Sequence, residues 1–241
     1  MEKGKPNKYY IPNLDTNIKV LASGSKKVIV NEKLPSLPNN MLVFARSNQG
    51  KTNCLLNLIH FYKKIFKDRI MIISKSYDES LETLRKSHNA EIFYDIYNEN
   101  GENIIEKLIA YQKNRKARGE KLQHYLVLLE DMISDKSLNN KRTCYDTLFS
   151  MGRHLKITTI ITSQSYTAIP SSLRRMCWTF LVFKITNQAE KKIMCAELCA
   201  TLDLSETEFE KVYNEAIREP YAFMLIDCAK NKYSHCFNGF V

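Results

Sequence analysis

Met41-Leu42-Val43-Phe44-Ala45-Arg46-Ser47-Asn48-Gln49-Gly50-Lys51-Thr52 is the stretch whose reading decides the fold. Four apolar residues in a row, without alternation, predict a strand covered on both faces. After Lys51, the residues Leu55, Leu56, Leu58, Ile59 and Tyr62 recur at helical spacing. Strand, tight loop and helix thus follow one another, and Ala45 to Thr52 fit G-x-x-x-x-G-K-[ST] with alanine in place of the first glycine. The combination predicts a phosphate cradle for ATP. Successive backbone N–H groups of the loop point at phosphates and the helix N-terminus adds partial positive charge. Lys51 is expected to reach the β and γ oxygens, the Thr52 hydroxyl to bind Mg²⁺, and Gly50 to let the backbone pass close to a phosphate. Ala45 is expected to take the turn geometry that glycine supplies.

A second signal lies at His124-Tyr125-Leu126-Val127-Leu128-Leu129-Glu130-Asp131, an apolar strand ending in two carboxylates. Placed beside the first strand, it would bring these acids to the triphosphate, one to hold Mg²⁺ and its water shell and the other to orient or deprotonate the attacking water. Glu130 is the expected metal-side acid, although the Glu-Asp order leaves the two roles open to exchange. A third buried strand, Ile157-Thr158-Thr159-Ile160-Ile161-Thr162-Ser163-Gln164, ends in an amide suited to sensing the γ-phosphate.

The remaining periodicities predict a strand at 69–74, a helix at 77–86, a strand at 90–94, and helices at 103–116 and 141–155. A strand follows at 178–185, then helices at 188–200 and 205–218, and a closing hairpin from 221–227 and 233–237. Ser205-Glu206-Thr207-Glu208 has the pattern of a capping box. Residues 1–38 carry Pro6, Pro12, Pro35 and Pro38 and one β-like run, 27–30, and are expected to form an arm or lead-in strand. Residues 39–241 form the expected α/β domain, with C-terminal helical and hairpin elaboration.

With 36 Lys and Arg against 26 Asp and Glu, the net charge of +10 favours polyanionic partners. The densest run is Lys113-Asn114-Arg115-Lys116-Ala117-Arg118-Gly119-Glu120-Lys121, which is either a solvated helix end or a surface for a nucleic-acid backbone. No apolar run approaches the ~20 residues of a membrane span, and no signal peptide is evident, so a soluble intracellular protein is expected. The seven cysteines are scattered, without a CxxC pair, which suits a reducing compartment. Cys195 and Cys199, with His235-Cys236, could in principle form a zinc site, but nothing requires it, and such cysteines are more often buried small hydrophobes.

Phosphate loop, acidic strand and strand ending in glutamine, in that order, resemble the FtsK/HerA superfamily of P-loop ATPases. Within it the similarity is to the packaging ATPases of large eukaryotic DNA viruses and virophages. It spans about Leu42 to Phe183 and is carried especially by Met151-Gly152-Arg153-His154-Leu155-Lys156-Ile157, the Gln164 strand and Ser172-Leu173-Arg174-Arg175. The resemblance implies a RecA-like, mostly parallel sheet flanked by helices. It also implies a homo-oligomeric ring, pentamer or hexamer, that hydrolyses ATP between subunits and drives double-stranded DNA into a capsid. A virion or host-cytoplasm location, and a capsid or prohead vertex partner, follow from the same likeness. An arginine supplied by the neighbouring subunit is expected at the transferring phosphate: Arg153 first, with Arg174 and Arg175 as alternates. Lys113, Arg115, Lys116, Arg118 and Lys121 become expected DNA contacts. Competing readings are a nucleotide-binding assembly subunit with little turnover, a nucleotide kinase, or a helicase.

Overall fold

A computed structural model describes residues 19–20, 28–29, 31–75, 79–131 and 143–239. Among the described residues, ten strands and seven α-helices follow in chain order. They are β1 (Lys19–Val20), β2 (Val28–Ile29), β3 (Asn40–Phe44), α1 (Lys51–Phe66), β4 (Ile70–Ser74), α2 (Glu79–His88), β5 (Glu91–Phe93), α3 (Ile104–Ala117), β6 (Tyr125–Glu130) and α4 (Cys144–Met151). Then come β7 (Ile157–Ser163), α5 (Ser171–Arg175), β8 (Thr179–Val182), α6 (Gln188–Leu198), α7 (Glu206–Ala216), β9 (Met224–Asp227) and β10 (Lys232–His235). Eight strands make one sheet in the order β10-β9-β8-β3-β7-β6-β4-β5. From β8 to β5 every pairing is parallel, and β9 and β10 close one edge as an antiparallel hairpin. The acidic strand β6 does not adjoin β3, as its sequence suggested; β7 intervenes. Its acids still arrive at the loop, because β6 is in parallel register with β7 and a glutamate side chain spans the remaining gap.

The uninterrupted apolar runs have their physical cause in two covered faces. In β3, Leu42 and Phe44 enter one core cluster while Met41 and Val43 enter the other. Helix α1 packs on the second face through Cys54, Leu55, Leu58, Ile59, Tyr62 and Phe66, and each such Leu or Ile contributes about 1.5–3 kcal/mol by leaving water. Helices α3, α4, α6 and α7 cover the first face. Cys195 and Cys199 lie in the first cluster and Cys236 in the second, so the sheet separates the cysteines that a zinc site would have to gather.

Caps set several helix starts. Asn103 accepts from the N–H groups of Ile105 and Glu106, and Ser205 with Glu208 forms the expected capping box. The expected helix at 141–155 is instead α4 followed by a 3-10 turn, Gly152–Leu155, and its first residues, 141 and 142, lie outside the described residues. The first residues of the helix expected at 77–86 do too, and α2 runs on to His88. Most of the expected N-terminal arm is likewise outside them, but its last part is not an arm. Leu34 and Leu37 are fully buried, and the Tyr62 hydroxyl donates to the Pro35 carbonyl at 2.7 Å, because α1 leaves an apolar surface there to be covered. Among the described residues, no helix is long and apolar enough to cross a membrane.

Candidate active site

Parallel strands bring their carboxyl ends to one edge of the sheet, and the loop 45–50 turns there into α1. Ala45 is fully buried and continues the strand, its N–H donating to the Ser163 carbonyl at 3.1 Å. Contrary to expectation, Ala45 needs no glycine geometry. The left-handed turns fall later, at Asn48 (φ 62°) and Gly50 (φ 88°), and asparagine and glycine tolerate that region best. Side chains brace the loop. Gln49 accepts from the Arg46 N–H at 2.9 Å and donates to the Lys184 carbonyl at 2.8 Å, while the Arg46 guanidinium donates to the Thr186 hydroxyl.

A cleft of about 560 Å³ lies over this loop, lined among others by Ser47, Lys51, Thr52, Ser74, Glu130, Asp131, Gln164 and Tyr221. Its inner wall is a circuit of contacts. The Lys51 ammonium lies 2.7 Å from Glu130 Oε1, and Glu130 Oε2 accepts from the Thr162 hydroxyl at 2.7 Å. The Thr162 oxygen accepts from the Asp131 N–H at 3.0 Å; Asp131 Oδ2 accepts from Gln164 Nε2 at 2.8 Å; and Gln164 Oε1 accepts from the Ser47 hydroxyl at 3.1 Å. The circuit begins and ends in the phosphate loop. Asp131 has φ 49°, which turns its carboxylate out of the strand and toward Gln164. Its Oδ1 is buried with no hydrogen-bond partner among the described residues.

Lys51, Thr52, Glu130, Asp131 and Gln164, read as site residues from the sequence, therefore line one cleft. Ser74 and Thr162 were missed. Strand parity carries the signal for both: Ile72, Leu128 and Ile160 share the α1 face, so Ser74, Glu130 and Thr162, two residues on in each strand, share it too. Tyr221 was read only as a strand residue and instead stands in the turn before β9.

The arginines and the basic run lie elsewhere. Arg153 precedes β7 and the basic run precedes β6, so both occupy the amino edge of the sheet, roughly 20 Å from the cleft by strand rise. Arg153 packs its guanidinium over the Trp178 ring, 4.3 Å from the centroid, and burial lowers its pKa from the ordinary arginine value. Arg174 is buried. Its Nε and Nη2 donate to Glu197 at 2.9 and 2.6 Å, Nη1 donates to the Ile169 carbonyl, and the guanidinium lies over Tyr166. Arg174 is thus withdrawn as a candidate for reaching a neighbour, since a forked donor already matched to a carboxylate has nothing left to offer. Arg175 beside it is exposed. Within the basic run, Arg115 and Arg118 share Glu120, whereas Lys113, Lys116 and Lys121 are exposed with no ion pair among the described residues.

Hard oxygen donors suit Mg²⁺, and Thr52 and Glu130, both lining the cleft, with the orphaned Asp131 oxygen close by, fit such an ion.

Comparison with known proteins agrees with this geometry. Residues 26–204 match the family described as Poxvirus A32 protein. Uncharacterized protein 075L of Invertebrate iridescent virus 6 is 25% identical over 191 residues, covering 78% of this chain and 70% of that protein. Among solved structures, B204, the DNA-packaging ATPase of Sulfolobus Turreted Icosahedral Virus, superposes with a TM-score of 0.59 at 14% identity, covering 82% of this chain and 96% of its own. The genome packaging NTPase B204 of Sulfolobus turreted icosahedral virus 2 in complex with ATP-gammaS gives 0.58 at 14% identity, with the same coverage. EssC (ATPases 2 and 3) of Geobacillus thermodenitrificans gives 0.53 at 18% identity over 69% of this chain and 35% of that one. A sheet of this order, a phosphate loop at its carboxyl edge and a family match over most of the sequence have one conclusion: the chain belongs to the Poxvirus A32 protein family.

Proposed function

We propose that this chain is an ATPase that moves double-stranded DNA into a viral capsid, working as a ring of identical subunits. The observation that carries the reading is the circuit from Lys51 through Glu130, Thr162, Asp131 and Gln164 to Ser47, which ties the phosphate loop to two acids and a γ-phosphate sensor. In this account ATP enters over Gly50, Lys51 exchanges Glu130 for phosphate oxygens, and Glu130 and Thr52 are left to hold Mg²⁺. The ion, when bound, neutralises charge on the phosphates.

Asp131 takes the role of base. Its Oδ1 is buried and without a partner among the described residues, and its Oδ2 is fixed by Gln164, so its position and its spare acceptor both suit an attacking water. Water attacks the γ-phosphorus, its proton passes to Asp131, and the bond to the ADP oxygen breaks. An arginine from the neighbouring subunit, the exposed Arg175 or the half-buried Arg153, stabilises the charge that develops.

A physical path from this step to the amino edge exists. Gln164 stands at one end of β7; at the other, the Leu155 carbonyl and the Gln123 carbonyl both accept from Gln112 of α3, whose last turn begins the basic run. A shift of β7 on phosphate loss would move Lys113, Lys116 and Lys121, and with them any DNA backbone they grip. Steady-state ATP hydrolysis with and without duplex DNA, at low and high salt, tests the proposal. Stimulation by DNA that fades with salt is expected. Hydrolysis indifferent to DNA would point to a kinase or an assembly subunit instead.

A further inference from the structure

The acids and Gln164 come from β6 and β7, on one side of β3, so a triphosphate with its γ end toward them leads its ribose and base the opposite way. On that side β3 pairs with β8, and β8 with β9. The residue waiting there is Tyr221, just before β9. It is 58% exposed and lines the same cleft, and its Cβ and Cδ1 lie 3.5 Å from where a side chain on Gly50 would begin. We propose that Tyr221 is the platform on which the nucleobase of the bound triphosphate stacks; the role rests on the nucleotide reading of the cleft.

The backbone holds the ring in place by an unusual means. The Ala222 N–H donates to the Glu219 carbonyl at 3.2 Å, closing a four-residue turn with Pro220 second and Tyr221 third, at φ 64°. Glycine or asparagine normally takes such a third position, because a bulky side chain is strained there. Behind the turn, Phe223 is fully buried against Phe183, ring centroids 4.9 Å apart, and against Phe237 at 5.1 Å. The ring of Tyr221 itself is not in that core, and among the described residues its hydroxyl has no hydrogen-bond partner. The chain thus accepts strain to present an aromatic face beside the phosphate loop, and the natural occupant of a flat apolar face at that place is a base. Stacking reads the π-face common to all bases, so Tyr221 contributes affinity with little choice between purines.

Calorimetric titration of the full chain with ATP, GTP and inorganic tripolyphosphate, in Mg²⁺, tests the role. Tyr221→Ala is expected to weaken ATP and GTP alike, by about fivefold to tenfold, and to leave tripolyphosphate unchanged. Tyr221→Gly, which suits the positive φ and so keeps the turn, should repeat the result, and Tyr221→Phe should restore ATP affinity. Undiminished ATP binding in both the Ala and Gly variants would overturn the platform while leaving the phosphate loop intact. So would an equal loss for tripolyphosphate. Wild-type protein that binds neither ATP nor tripolyphosphate would refute the cleft as a nucleotide site and this role with it.

Discussion

At the carboxyl edge of the sheet, polar side chains are sunk into the protein and bonded to one another; at the amino edge, charge stands in the open. Glu130 is 7% exposed and both its oxygens are engaged, whereas Lys113, Lys116 and Lys121 project from the end of α3 and the loop that follows. On the proposed function, the contrast separates two kinds of chemistry. Phosphoryl transfer needs atoms fixed to fractions of an ångström in a low-dielectric cleft. Gripping a polyanion of any sequence needs only closely spaced positive charge that can slide from phosphate to phosphate. Strand β7 runs between the two.

The largest effect expected from breaking this contrast is at Lys51. Lys51→Ala should lower kcat about a thousandfold or more, since the phosphate contact is lost, while leaving the fold intact by circular dichroism. Next come the acids. Asp131→Asn should cost about a hundredfold to ten-thousandfold in kcat with nucleotide binding retained, as expected for a lost base. Glu130→Asp, one methylene shorter, cannot reach both Lys51 and Thr162, and should lower kcat too; a faster enzyme would show that the Glu-Asp order is suboptimal.

Arg174 and Arg153 sharpen the distinction between structure and catalysis. Arg174→Ala removes the guanidinium from Glu197, which keeps the Tyr166 hydroxyl, and from the Ile169 carbonyl, and should destabilise the fold by about 2–3 kcal/mol in chemical denaturation, a figure reduced because Glu197 is partly exposed. Arg175→Ala should spare stability, whereas Arg153→Ala loses the packing on Trp178 and should cost about 0.5–2 kcal/mol; the one that acts in trans should lower turnover only in the assembled ring. Replacing Lys113, Lys116 and Lys121 by alanine should weaken duplex binding for all sequences and reduce the slope of log affinity against log salt by about 2–3.

A pH dependence is expected as well. Burial, with help from Lys156 and Arg69, lowers the His124 pKa from 6.5 to about 4. A depressed folded pKa means that the unfolded chain binds the proton more readily. The stability this neutral histidine permits is complete above about 6.5 and is lost as pH falls toward about 4. His124→Gln should flatten that part of a stability-versus-pH curve.

Much of this arrangement was legible in residue order. The buried runs at β3, β6 and β7 announced a parallel sheet because a strand covered on both faces has no polar alternation, and the loop, Glu130, Asp131 and Gln164 followed from their places at strand ends. What was not legible depended on contacts distant in sequence. Arg174 looked available because its carboxylate partner, Glu197, lies on another helix, and Ala45 looked strained because the motif does not say which of its residues carries the left-handed turn. Residues 34–37 read as arm because prolines punctuate them, yet Leu34 and Leu37 are buried in the core cluster that α1 enters. Tyr221 read as strand because its neighbours Ala222 and Phe223 are core.

The most direct test of the account is a crystal structure of the chain with ATPγS and Mg²⁺. The thiophosphate should lie against Gly50, Lys51 and Thr52, with the Lys51 ammonium moved from its 2.7 Å contact with Glu130 to beyond about 4 Å. A nucleotide bound elsewhere, or a cleft in which Lys51 still holds Glu130 under saturating analogue, would contradict it.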